Sequence, residues 1–247
     1  MSSKLGLKLS RYYSINFDLP KRHKKFIKFI IIHYTGMRKE SQALKKLCDS
    51  KSKVSCHYFI KDNGEVLNLV PDLYNAWHAG KSHWSKYKFL NKYSIGIEIN
   101  NPGHNNKYRK FFPRQINSLV KLLRALIKKY KINKKNILGH SDIAPDRKKD
   151  PGEKFPWKVL AKKNVCRWHD LNDIKIKKFR KQRLTLDEEK IFFENLNMIG
   201  YPLVQKNEKS NKIYVVKAFQ RKFRQKLIDG KTDFECLLIS KSLIKPN

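Results

Sequence analysis

The sequence predicts an α/β protein: a mixed β-sheet flanked by helices on both faces, followed by a small all-α C-terminal domain. Three observations carry that expectation. Apolar, β-branched runs at 26–33, 54–61, 65–70, 94–100 and 136–138 read as strands, while 41–48 and 113–130 place apolar residues at helical spacing. Strand and helix signals therefore interleave, as in a sheet covered by helices. Beyond residue 185 only helical patterns remain.

The first run, Lys-Phe-Ile-Lys-Phe-Ile-Ile-Ile, delivers His33 to the end of a buried strand. Ser41 to Cys48 puts Ala43, Leu44, Leu47 and Cys48 on one side of a short helix. The strands 54–61 and 65–70 flank Asp62-Asn63-Gly64, whose Asn-Gly step suits the positive φ of a tight hairpin turn. Residues 71–93 are rich in Trp, His, Tyr, Gly and Lys without periodicity, which marks a binding loop. In 94–100, Ile95, Ile97 and Ile99 share one strand face and Gly96, Glu98 and Asn100 the other, so a carboxylate and an amide stand beside a residue that leaves room. Pro113 opens a helix carrying Ile116, Leu119, Val120, Leu123, Ile127 and Tyr130, and the strand at 136–138 ends at Gly139-His140. The basic stretch 171–184 reads as a linker. Thr185 with Glu188 forms a capping-box signature that opens a helix closed by Gly200, and two more helices are expected at 214–225 and 234–243. The resulting division is 1–170 with a core at about 20–165, the linker, and 185–247.

At 247 residues, 40% of them hydrophobic and 12% aromatic, the chain is long enough to bury a sizeable core and is not a disordered polymer. A formal net charge of +35 predicts attraction to polyanions. The lysines are spread over the whole length, however, so charge modifies function here and does not define it. No helix-turn-helix, zinc-finger or RNP wording is present, which ranks a basic nucleic-acid-binding protein low and makes any such binding non-specific. Cys48, Cys56, Cys166 and Cys236 contain no Cys-x-x-Cys pair and read as reduced, buried small hydrophobes; only Cys48 and Cys56 are close enough in sequence to suggest a bridge. The first 13 residues lack an apolar core, a small-residue cleavage site and a lipidation Cys, and no segment reaches membrane-span length. As written, the sequence predicts a cytoplasmic protein, with the periplasm as the alternative.

His33, His140 and Asp150 each stand at the end of an apolar segment or in a turn-rich stretch just beyond one. Two imidazoles and a carboxylate, with a fourth position open to water, suit a catalytic zinc, although Asp142 and Asp146 compete for the carboxylate's place. Five stretches occur in order: Ile-Ile-Ile-His-Tyr-Thr-Gly (30–36), Val-Ser-Cys-His-Tyr-Phe-Ile (54–60), Ala-Trp-His-Ala-Gly (76–80), Ser-Ile-Gly-Ile-Glu-Ile-Asn (94–100) and Gly-His-Ser-Asp-Ile-Ala-Pro-Asp-Arg-Lys-Lys-Asp-Pro-Gly (139–152). Together, over about residues 20–170, they resemble the zinc-dependent N-acetylmuramoyl-L-alanine amidases of the AmpD and AmiD type, relatives of peptidoglycan recognition proteins. Gly200-Tyr201, Ala218 to Phe223 and Asp229 to Asp233 resemble the three-helix peptidoglycan-binding domain, with a longer and more charged segment at 204–211.

The resemblance implies the peptidoglycan-recognition/amidase fold and one zinc per chain on His33, His140 and Asp150. It implies hydrolysis of the bond between N-acetylmuramic acid and L-alanine in peptidoglycan or (anhydro)muropeptides. It selects Glu98 as general base and Lys148, over its neighbours Arg147 and Lys149, as the cation that steadies the oxyanion. It also suggests that Trp77 and His78 touch sugar or stem peptide. Asn100, on the Glu98 face, is a candidate donor to the substrate's peptide backbone. His57 reads as structural, and His83, His104 and His169 carry no pattern. A recognition module without activity is the main rival, opposed by the intact ligand set, base and cation. If the last domain only targets, deleting 171–247 leaves cleavage of soluble muropeptide unchanged.

Overall fold

The computed structural model describes residues 9–202 and 209–245. The first eight residues of the stretch read for export signals, and residues 204–208 of the charged segment, lie outside the described residues. The chain begins with β1 (Leu9–Arg11), β2 (Phe17–Asp18), β3 (Phe29–Tyr34), α1 (Glu40–Cys48), β4 (Tyr58–Ile60), β5 (Val66–Asn68) and β6 (Asn75–Ala76). It continues through β7 (His83–Trp84), β8 (Tyr87–Lys88), β9 (Ser94–Ile99), α2 (Pro113–Tyr130), β10 (Ile137–Gly139), α3 (His140–Ile143) and α4 (Trp157–Lys162). The last elements are α5 (Asp173–Ile176), α6 (Leu186–Ile199), α7 (Lys209–Phe223) and α8 (Phe234–Ile244).

Six strands form a mixed sheet in the order β1-β5-β4-β9-β3-β10. All neighbours are parallel except the β4–β5 hairpin. The central strands are almost continuously apolar because both faces are covered. Under one face, Ile30, Ile32, Ile95, Ile97 and Ile137 pack against Ile116, Leu119 and Leu123 of α2 and Trp157 and Leu160 of α4. The intervening residues Phe29, Ile31 and Leu138 point the other way and join Phe192 and Leu196 of α6, Val215 and Phe219 of α7 and Leu237 of α8. Farther along that face, Ala43 and Leu47 of α1 cover Phe59 and Leu67. Residues 71–93 are less irregular than their composition suggests, since β6 pairs with β2 and β7 with β8. All four cysteines are free. No helix among the described residues is long and apolar enough to cross a membrane.

The C-terminal helices thus share an apolar core with the sheet, and a buried polar cluster reinforces the junction. Lys222 of α7 donates through Nζ to Asp142 Oδ2 and to the Ile137 carbonyl, both at 3.0 Å, and lies 4.6 Å from the centre of the Trp157 ring. Asp142 also accepts from the Tyr201 hydroxyl at 2.8 Å and the Gly139 N–H at 2.8 Å. A buried charge is tolerated only when its partners are in place. Lys222→Met is therefore expected to destabilise the fold by about 3–5 kcal/mol in urea melts, by stranding the Asp142 carboxylate. Lys222→Met with Asp142→Asn should recover most of that loss. For the same reason, deleting 171–247 is now expected to uncover Phe29, Ile31 and Leu138 and to impair the catalytic sheet.

Candidate active site

Strand register brings the chemistry together at the C-terminal ends of β9, β3 and β10, the edge of an α/β sheet where ligands commonly bind. His33 stands directly beside Glu98, and β10, on the other side of β3, pairs Gly139 with Ile32 so that His140 follows level with His33. Asp150 returns over this edge because the Ser141 N–H donates to its backbone carbonyl at 2.9 Å. The three side chains are buried.

Their donor atoms form a tight triangle. His33 Nδ1 lies 3.0 Å from His140 Nδ1 and 3.0 Å from Asp150 Oδ2, and His140 Nδ1 lies 3.1 Å from the same oxygen. Hydrogen bonds behind the rings fix which atoms carry protons. Ser94 Oγ donates to the Leu90 carbonyl at 2.6 Å, so it accepts from His78 Nε2 at 3.2 Å. His78 Nδ1 is then the acceptor for His33 Nε2–H at 3.1 Å. On the other ring, His140 Nε2–H donates to the Ala79 carbonyl at 3.2 Å. Both Nδ1 atoms therefore present lone pairs to each other and to a carboxylate oxygen, an arrangement that repels itself unless a cation sits among the three. Ligands of a tetrahedral zinc with bonds of about 2.0–2.1 Å stand roughly 3.3 Å apart, so the donor set and its spacing fit that ion.

The electrostatics agree. Burial lowers His33 to about 4, with His140 acting in the same direction and Asp150 opposing it, so the ring is in the neutral form that ligation requires. Glu98 is pushed up to about 8 by burial and by the Asp150 charge, with Lys148 pulling the other way. Its Oε2 has no hydrogen-bond partner among the described residues. Glu98, Lys148, Trp77 and the three donors line one cleft of about 570 Å³.

The other expected site residues divide. Trp77 lines the cleft and donates from Nε1 to Asp18 Oδ1 at 2.7 Å. His78 is at the cleft's inner wall, but both its ring nitrogens are engaged in the chain behind His33, so its position suits orienting that ligand more than touching sugar. Asn100 is buried, accepts from Thr35 Oγ1 at 3.2 Å and does not line the cleft. Arg147, a rival to Lys148, is tied to the Ala79 carbonyl at 2.6 Å. His57 accepts the Gly96 N–H at Nδ1 and donates from Nε2 to the Tyr74 carbonyl. Burial, reinforced by Arg22, lowers its pKa to about 3.

Two features of the site take their role only from contacts made in the fold. Tyr34 OH donates to His104 Nδ1 at 2.8 Å, and His104 Nε2 donates to Glu153 at 3.0 Å, forming a second wall of hydrogen bonds beside the cleft. Gly96 makes space for His78: a Cβ there would meet the imidazole at 2.4–2.6 Å. Gly96→Ala should displace that ring from His33 and weaken metal affinity by about 10–100-fold, the usual cost of losing a ligand's supporting hydrogen bond, in a competition titration with a chelator.

The family described as N-acetylmuramoyl-L-alanine amidase matches residues 23–153, just over half of the chain. The chain is 34% identical over 231 residues to the N-acetylmuramoyl-L-alanine amidase AmiD of Escherichia coli, covering 89% of this chain and 83% of that one. It is 40% identical over 116 residues to the E. coli 1,6-anhydro-N-acetylmuramyl-L-alanine amidase AmpD, covering 46% of this chain and 61% of that one. The fold is similar to E. coli AmiD solved with anhydro-N-acetylmuramic acid-L-Ala-D-γ-Glu-L-Lys, with a TM-score of 0.78 and 33% identity over 92% of this chain and 91% of that one. It is also similar to AmpDh3 of Pseudomonas aeruginosa solved with an anhydromuramic pentapeptide, with a TM-score of 0.77 and 29% identity over 91% and 94% of the two chains.

Proposed function

Because the chain belongs to the N-acetylmuramoyl-L-alanine amidase family, we propose that it hydrolyses the amide between N-acetylmuramic acid and L-alanine in peptidoglycan fragments. Substrates of the kind bound by its structural relatives, an anhydro-muramyl unit carrying L-Ala-D-γ-Glu-L-Lys, fit this reading. The observation that carries it is the triangle of proton-free donors from His33, His140 and Asp150 with the Glu98 carboxyl on the neighbouring strand. We assign zinc to that triangle; when bound there it supplies a Lewis acid toward the amide carbonyl and lowers the pKa of its water to about 7.

The chain's own residues do the rest. Glu98 accepts a proton from the attacking water and returns it to the departing L-alanine nitrogen, a task suited to a carboxyl whose pKa burial has raised. Lys148 brings an ammonium to the side of the cleft where charge builds on the amide oxygen. His78 and Ser94 hold the His33 ring, and the Ala79 carbonyl holds His140, so the ligands need not reorganise during turnover. Trp77 offers a flat apolar surface to the sugar or peptide. We read residues 185–247 as a peptidoglycan-binding-like unit docked on the catalytic sheet, following 171–184. A recognition-only role would leave the raised Glu98 carboxyl without a task.

The test is product identity. Zinc-loaded protein incubated with anhydro-muramyl-L-Ala-D-γ-Glu-L-Lys should release the free tripeptide, seen by mass spectrometry as addition of one water across the lactyl–alanine bond. Cleavage at another bond, or binding with no turnover, would contradict the proposal.

A further inference from the structure

Beside the catalytic cleft, α7 presents a cation with no hydrogen-bond or ion-pair partner among the described residues. Arg221 is partly buried, yet no hydrogen bond or ion pair reaches its guanidinium among the described residues. It lies where two recesses of about 350 and 310 Å³ meet. The first shares His104 and Lys149 with the catalytic cleft, and the second shares Lys148 and Lys149 with it. Lys217, one helical turn before Arg221, lines the second recess. Two carboxylates line these recesses: Asp146 in the second, and in the first Glu153, which attracts Arg221 but already accepts from His104 Nε2 at 3.0 Å. Lys222, the adjacent residue, is clamped to Asp142 and the Ile137 carbonyl, so α7 is held fixed relative to the turn bearing His140.

A guanidinium has five donors and no acceptor, and when it is partly desolvated it favours a carboxylate able to take two of them. On the amidase reading, the substrate carries two candidates. The γ-linkage of its glutamate leaves the α-carboxylate free, and the last residue ends in another. We propose that Arg221, with Lys149, forms a carboxylate subsite beside the metal ligands that receives the stem peptide and places its scissile amide over Glu98. The C-terminal helix α7 thereby contributes to substrate selection as well as to folding. This inference rests on the proposed amidase function.

The test uses the full zinc-loaded chain and three muramyl tripeptides: the free acid, the glutamate α-amide and the C-terminal amide. Wild-type kcat/KM should fall about 10-fold or more, through KM, for the one amide that removes the recognised carboxylate, which identifies the source. Arg221→Gln should cause the same loss with the free acid and no further loss with that amide. Lys149→Gln, at an exposed position that folding does not depend on, should show a smaller effect of the same pattern. Calorimetric Kd values for the product L-Ala-D-γ-Glu-L-Lys and its amides give a readout independent of turnover. If no substrate is hydrolysed but the peptide still binds in an Arg221-dependent, carboxylate-dependent way, the subsite stands and the amidase reading falls. If hydrolysis proceeds and Arg221→Gln lowers all three substrates equally, or none, the subsite is overturned.

Discussion

Asp150→Ala should lose zinc and turnover together. Removing this carboxylate takes away the only formal negative charge among the three donors and leaves two neutral imidazoles, His33 and His140, with their lone pairs 3.0 Å apart. Bound zinc measured by elemental analysis is expected to drop from about one per chain to a small fraction, and muropeptide hydrolysis to background. His140→Ala should behave alike. The fold should survive both changes, because the cores under each sheet face do not include these side chains. Asp142→Ala, at the buried carboxylate of α3, should give the opposite pattern: a large drop in melting temperature, because Asp142 serves Lys222, Tyr201 and Gly139. A full zinc complement with undiminished turnover in Asp150→Ala would remove that residue from the site.

Glu98→Gln should separate binding from chemistry. The amide has the shape of the carboxyl but cannot take up a proton, so zinc content should stay near one per chain while kcat falls by about 10²–10⁴-fold, the range over which a positioned general base contributes. KM should change little. The substitution also exchanges a buried carboxyl with an unpartnered oxygen for a neutral group, so thermal stability should hold or rise slightly. A Glu98→Gln enzyme with wild-type kcat would require another base.

Much of this was legible in the sequence for a physical reason. A central parallel strand must be apolar on both faces, so the runs ending at His33 and Gly139-His140 announce themselves, and polar residues at such strand ends stand out. Alternation along 94–100 puts Glu98 and Gly96 on one face, and the strand register shows that His33 shares that face. The task of His78 was hidden because it depends on contacts with His33, Ser94 and the bare Cα of Gly96, which are brought together only by folding. Asn100 followed the strand pattern one step too far: β9 ends at Ile99, and the residue turns to Thr35 instead of the cleft. Lys222 is one of 56 Lys and Arg residues, and helical spacing gives no sign that this one is buried against the sheet. His104 and Glu153 likewise acquire meaning only when Tyr34 joins them.

The central claim is that His33, His140 and Asp150 hold the zinc on which amide hydrolysis depends. Its most direct measurement is a stoichiometric zinc titration of metal-stripped protein, with release of free L-Ala-D-γ-Glu-L-Lys from the anhydro-muropeptide followed at each addition. Turnover rising linearly and breaking at one zinc per chain, with no break in Asp150→Ala, is the predicted result; hydrolysis that is complete before zinc is added, or indifferent to it afterwards, would contradict the account.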